Sequence, residues 1–204
     1  IFYKINKLTL LEILIIRLKK LKNLPIFLAI PDNEKKSELN KFKRICKKYN
    51  VDLFQGSENN VLSRFYYCSK KFNINNIIRI TSDCPLSDSN IIIQMIKIYK
   101  SKGYDYYSNT LIPSFPDGLD VEIFSFEALK KTYKSKYSLK SKEHVTYDIK
   151  NNFKFKKANF INDIDMSNYR LTVDYRADLN NVENLINKYK IDIDFIKIKK
   201  EILK

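Results

Sequence analysis

Apolar positions in the first half of the chain alternate between two rhythms. Thr9, a favourable N-cap, precedes a helical stripe of Leu10, Leu11, Leu14, Ile15, Leu18 and Leu21. Ile26 to Ile30 is an unbroken apolar run stopped by Pro31-Asp32, which predicts a short buried strand. Glu34 to Tyr49 returns to helical spacing, with Leu39, Phe42, Ile45, Cys46 and Tyr49 opposite the charges. Val51 to Phe54 predicts a strand ending at Gln55-Gly56-Ser57. Ser57 to about Phe72 predicts a helix with Val61, Leu62, Phe65 and Cys68 inward. Ile77 to Ile80 is a third strand, and a helix comes after it from about Asp88 to Lys100. Strands alternating with helices predict a parallel sheet with right-handed crossovers.

The rhythm changes after Gly103. Asp105 to Thr110 predicts a strand, Pro113 to Gly118 a turn, and Asp120 to Ser125 an alternating strand. Helices are expected at about Phe126 to Tyr133, Lys142 to Asn151 and Asp178 to Lys188. Phe153 to Phe160 reads as an outlying strand and Arg170 to Val173 as a last buried one. Beyond Ile191 the pattern fits a strand or a helix. No linker and no repeat interrupts the chain, so one domain over residues 1–204 is expected.

Composition narrows the reading. An apolar share of 44% predicts a globular core. The net charge of +15 comes largely from lysine pairs such as Lys19-Lys20, Lys47-Lys48 and Lys199-Lys200, scattered along helices. They form no stripe interleaved with aromatics, so solvated surface charge is favoured over a nucleic-acid footprint. A field that draws phosphorylated substrates stays open. No apolar run approaches the roughly 20 residues of a membrane helix; Leu10 to Leu18 is interrupted by Glu12 and Arg17. Cys46, Cys68 and Cys84 form no CxxC pair, which disfavours zinc and disulfides and points to a reducing cytoplasm. Glycine occurs only at 56, 103 and 118, so there is no Gly-rich phosphate loop, which disfavours a P-loop kinase or a dinucleotide-binding dehydrogenase.

Candidate chemistry lies at the carboxyl ends of predicted strands, where open α/β sheets bind ligands. Asp83 comes after Ile77 to Ile80 in the phrase Ser82-Asp83-Cys84-Pro85, and Asp174 comes after Leu171-Thr172-Val173. Magnesium is commonly held by one or two carboxylates together with substrate phosphates, and two such residues suit it. Capping of a loop and a helix by Asp83 and Asp88 is the plainer reading. Pro116-Asp117-Gly118 is a stock turn sequence. Asp120 and Glu122 alternate with Val121, which points both toward one side. His144 is the single histidine, with no serine or cysteine partner to make a triad.

Several phrases occur together in one order: FQGSENNVLSRF from Phe54, IIRITSDCPLSD from Ile77, YYSNT from Tyr106, FPDGLDVEIFSFEAL from Phe115, KEHVT from Lys142 and RLTVDYRADL from Arg170. In these the chain resembles the nucleotide-sugar cytidylyltransferases, including acylneuraminate and 3-deoxy-manno-octulosonate cytidylyltransferases, and especially the spore coat polysaccharide biosynthesis branch. The likeness runs from about Leu8 to Tyr189. It implies a Rossmann-like, GT-A-type α/β nucleotidyltransferase fold with a mostly parallel central sheet flanked by helices. It implies transfer of CMP from CTP to a sugar, an acidic sugar by the family's habit, with Mg²⁺ as cofactor and pyrophosphate leaving. Asp83 and Asp174 match the catalytic, metal-binding positions. Gly56, Ser57, Arg64 and Ser82 fall on the nucleotide side, and Asn109, Asp117, Gly118, Asp120, Glu122 and His144 on the acceptor-sugar side. CTP, a sugar acceptor and a second copy of the chain are the partners implied, without nucleic acid.

The chain departs from that pattern twice. Ser82 stands where the family usually has glycine before the metal aspartate. Ile1 to Leu11 resembles the segment that lies just after the family's opening strand and arginine-bearing loop, so a first strand missing from the sheet and weak catalysis are expected. Two other readings compete: a GT-A glycosyltransferase using a nucleotide-sugar donor, and a basic binding protein without catalysis.

Overall fold

A computed structural model describes residues 1–203. The chain opens with a small hairpin, β1 (Lys4–Ile5) and β2 (Leu8–Thr9), and enters α1 (Leu10–Leu18) directly. Thr9 accepts from the Glu12 amide while Glu12 reaches back to the Thr9 amide, a reciprocal cap that contributes about 1 kcal/mol. Both polar interruptions of this apolar helix are buried. Arg17 donates to the carbonyls of Leu86, Ser87, Ile191 and Ile193, so its charge is spread over four acceptors at 2.6–3.0 Å.

β3 (Phe27–Pro31), α2 (Lys36–Tyr49) and β4 (Asp52–Gly56) form the first unit, with β3 and β4 parallel in a sheet of their own. Next come α3 (Val61–Lys71), β5 (Asn76–Arg79), α4 (Ser89–Lys102), β6 (Tyr106–Ser108) and β7 (Glu122–Ser125). α5 (Phe126–Lys134), α6 (Leu139–His144), α7 (Tyr147–Asn151), β8 (Lys157–Asn159), α8 (Arg176–Tyr189) and α9 (Phe195–Ile202) complete the chain. The second sheet has the order β5-β7-β6-β8. β6 and β8 are parallel, as expected, but β7 runs antiparallel to both its neighbours, so this sheet is mixed.

Between the two sheets lies a cavity of about 620 Å³. Residues of β3 line one side and residues of β5 the other, and each strand has a single partner, β4 and β7 respectively, among the described residues. Leu28, Ile30, Phe42, Phe72 and Ile78 are among the residues that wall this slot.

Three local expectations are corrected. The helix expected from Ser57 begins at Val61, because the Asn60 side chain accepts from the Ser63 amide and sets the cap there. The helix expected over Lys142 to Asn151 is two short helices, split at Val145, whose φ of 43° and ψ of −58° make a γ-turn closed by the Thr146 amide on the His144 carbonyl. A β-branched residue there is strained, at a cost of about 1–3 kcal/mol. Arg170 to Val173 is not a strand. Its backbone bonds diverge: Leu171 and Thr172 donate to the Asp117 carbonyl and Val173 to that of Asp83.

Candidate active site

That diverging segment builds the site. It stitches the loop after β5 to the loop before β7, with N···O distances of 2.6 and 3.0 Å to Asp117 and 2.8 Å to Asp83. Gly118 makes the approach feasible. Its φ is 107°, and a Cβ there would lie 2.3 Å from the Thr172 nitrogen. Gly118 thus fixes the loop through its backbone. Asp83, Asp117, Asp120 and Asp174 consequently gather at one end of the larger sheet.

Arg170 answers part of this negative charge. It reaches Asp117 and Asp174 at 2.8 Å each and Asp178 at 3.3 Å. Burial pushes the Asp117 carboxyl up, Arg170 pulls it down, and the charges of Asp174, Asp83 and Asp178 raise it further, for a net upward shift. Asp178 itself caps α8, accepting from the amides of Asp174 and Tyr175. Among the described residues no group of three or more His, Cys, Asp or Glu side chains is arranged to hold a metal ion. Asp83 and Asp174 offer hard carboxylate oxygens of the kind Mg²⁺ prefers, with Asp174 shared with Arg170. Two protein carboxylates suffice when substrate and water complete the shell.

Asp120 sits deeper. Asn109, itself buried, grips the backbone on both sides of it: its amide nitrogen donates to the Leu119 carbonyl at 2.8 Å, and its oxygen accepts from Val121 at 2.8 Å. Asn109 is thus a brace for the loop, a role its sequence context did not reveal. Burial pushes the Asp120 carboxyl up to about 6; Asp117 and Glu122 add to the rise, and Lys150 and Arg79 oppose it.

Glu122, two residues on, is buried and faces the interior. Arg79 meets one carboxylate oxygen at 2.5 Å, while Lys150, Tyr106 and Thr146 meet the other at 2.9, 2.7 and 2.6 Å. Burial alone would raise its pKa; Arg79 and Lys150, with the two hydroxyls, overcome it and hold the group near 2. Alternation along the sequence puts Glu122 on the Asp120 side of β7 but gives no sign of partners from β5, β6 and α7. Thr146 reaches it through the strained turn at Val145. His144, just before that turn, is exposed at the end of α6.

On the opposite side, Arg64 and Ser82 line the slot, with Arg79 and Thr81. Gly56 lies against Arg64, since an added Cβ would sit 3.1 Å from the Arg64 Cγ. Arg64 donates to the Ser57 carbonyl at 3.2 Å, tying together three of the residues expected on the nucleotide side. Arg64 and Arg79 each keep a buried Nε with no hydrogen-bond partner among the described residues. No sequence signal marked Arg79 or Lys150, the two cations flanking the acidic floor.

The acidic residues at one end of the α/β sheet lie where open sheets of this kind bind ligands, beside a slot edged with arginines. The family model for cytidylyltransferases matches residues 3–200, and the chain belongs to that family. It is 36% identical over 157 residues to the uncharacterized protein MJ1063 of Methanocaldococcus jannaschii, spanning 76% of this chain and 63% of that one. It is 30% identical over 155 residues to the spore coat polysaccharide biosynthesis protein SpsF of Bacillus subtilis, spanning 70% and 60%. The matched stretch therefore covers about three fifths of these curated relatives. Among solved structures, a cytidylyltransferase from Leptospira borgpetersenii superposes with a TM-score of 0.88 at 28% identity, covering 99% of this chain and 86% of that chain. A CMP:2-keto-3-deoxy-manno-octonic acid synthetase complexed with CTP gives 0.66 at 10% identity, over 92% and 91%, a likeness of fold. Among the described residues no helix is long and apolar enough to cross a membrane.

Proposed function

We propose that this protein transfers CMP from CTP to a hydroxyl of an acidic sugar, releasing pyrophosphate, in the synthesis of a surface polysaccharide or related glycan. The observation that carries the reading is the pairing of the acidic floor at Asp83, Asp117 and Asp174 with the slot edged by Arg64 and Arg79, whose Nε groups lack partners among the described residues. Unpaired guanidinium donors favour phosphate or carboxylate oxygens. The relatives support the chemistry: SpsF is named for polysaccharide biosynthesis, and one structural neighbour is a synthetase for a CMP-linked sugar acid. Asp83 and Asp174 would hold Mg²⁺, which when bound neutralises phosphate charge. Arg64, Ser82 and the Gly56-Ser57 turn would face the nucleotide. The buried free thiols suit a reducing cytoplasm, and a homodimer is part of the proposal.

Calorimetric titration with CTP, UTP and ATP, each with and without Mg²⁺, tests the reading. Selective, Mg²⁺-dependent binding of CTP is expected, and Asp83→Asn should abolish the Mg²⁺ dependence. Equal binding of all three nucleotides, or none, would count against it.

A further inference from the structure

Two residues apart on one strand margin stand a carboxylate with four partners and a carboxylate with none. Glu122 is saturated. Asp120 takes part in no hydrogen bond or ion pair among the described residues, although it is partly buried. Its place is nevertheless defined closely. Arg79 lies opposite Glu122 on β5, and Ser108 lies opposite it on β6. Asp120 lies two residues before this ladder begins. Asn109 holds the flanking backbone, and the Gly118 contact with Thr172 holds the loop from the other side.

We infer that Asp120 is the proton acceptor of the reaction, the group that receives the hydrogen of the attacking sugar hydroxyl. The inference rests on the CMP-transfer reading above. As the hydroxyl oxygen bonds to the α-phosphorus of CTP, the bond from that phosphorus to the bridging oxygen breaks. Pyrophosphate leaves with that electron pair, and the proton passes to the Asp120 carboxylate. The neighbouring groups are committed elsewhere. Asp117 is held by Arg170, Glu122 is full, and Asp83 and Asp174, the latter also paired with Arg170, are the proposed cation ligands. His144 is exposed at the end of α6. Among these groups Asp120 combines a braced backbone, partial burial and free lone pairs.

Its electrostatic setting agrees. The charged and titratable groups that bear on it are Asp117, Glu122, Lys150 and Arg79, and the Cys84 thiol senses its charge. With burial they bring the carboxyl to about 6, inside the range in which a base works near neutral pH. Asn109 is the corresponding positioning residue.

The test is Asp120→Asn, which keeps size and removes basicity. Carboxyl carbon NMR of the free protein should show one aspartate titrating near 6 that disappears in the variant; titration of every aspartate below about 5 would overturn the inference. With CTP, Mg²⁺ and a panel of acidic sugars, pyrophosphate release should fall about 10²- to 10⁴-fold in the variant. Calorimetric CTP affinity should stay within about threefold, since the proton acceptor acts on the acceptor side. Undiminished turnover by the variant, with CTP binding intact, removes the role of Asp120 and leaves CMP transfer standing. A parent protein that binds no CTP removes both.

Discussion

The interior around Glu122 and the floor around Asp120 are built from the same stretch of chain, yet they resolve burial in opposite ways. At Glu122 two cations and two hydroxyls replace the water that burial removes, and the carboxylate stays ionised. At Asp120 nothing replaces it, and the proton is held more tightly than in water. The fold satisfies one carboxylate thoroughly and leaves its neighbour bare. That contrast, rather than acidity as such, is the ground on which Asp120 is proposed as the reactive group in a region holding Asp83, Asp117, Asp120, Glu122 and Asp174.

The sharpest way to break the contrast is to remove the saturated member. Glu122→Gln leaves Arg79 and Lys150 without their counter-ion and should destabilise the fold by about 3–5 kcal/mol, read as a lower denaturant midpoint. The bare member should respond with the other sign. Glu122, near 2 when folded against an ordinary 4.5, contributes stability that is complete above about pH 4.5 and fades as pH falls toward 2. Asp120, near 6 against an ordinary 3.8, costs stability as pH climbs from 3.8 through 6, because the folded state favours its protonated form. Asp120→Asn should therefore melt higher than the parent at pH 7, by an amount on the order of 1 kcal/mol, and match it near pH 4. A variant that is more stable and less active would separate function from folding. The smallest effect is expected at Phe153, a large apolar side chain 89% exposed, where Phe153→Ser should shift stability by no more than about 0.5 kcal/mol.

Much of the scaffold was legible in the sequence because local chemistry sets it. Thr9 with Glu12, and Asp88 accepting from the Asn90 and Ile91 amides, start helices where periodicity places them. The tail, open between strand and helix, is a helix capped by Asp194. What escaped depends on distant partners. The direction of β7 is fixed by ladders with β5 and β6, and neither leaves a mark on its own residues. Arg170 to Val173 alternates as a strand should but spends its amides on two loops. In the site, Asp83 and Asp174 stand at segment ends that do meet, through Val173. The braces left no such signal, because Asn109 and Gly118 act on backbone atoms ten and more than fifty residues away.

The slot between the sheets also divides the molecule's cooperativity. β3, β4 and α2 share a core of their own, with Ile30, Phe42, Ile45, Cys46 and Val51 packed on Leu11 and Ile15 of α1. The opposite face of that helix, at Leu10 and Ile13, belongs to the larger core. No ladder joins the two sheets among the described residues, so the smaller one is tied to the rest largely through side chains along α1 and α3. Such a unit is expected to open as a foldon of its own, read as faster amide exchange in β3, β4 and α2 than around Glu122.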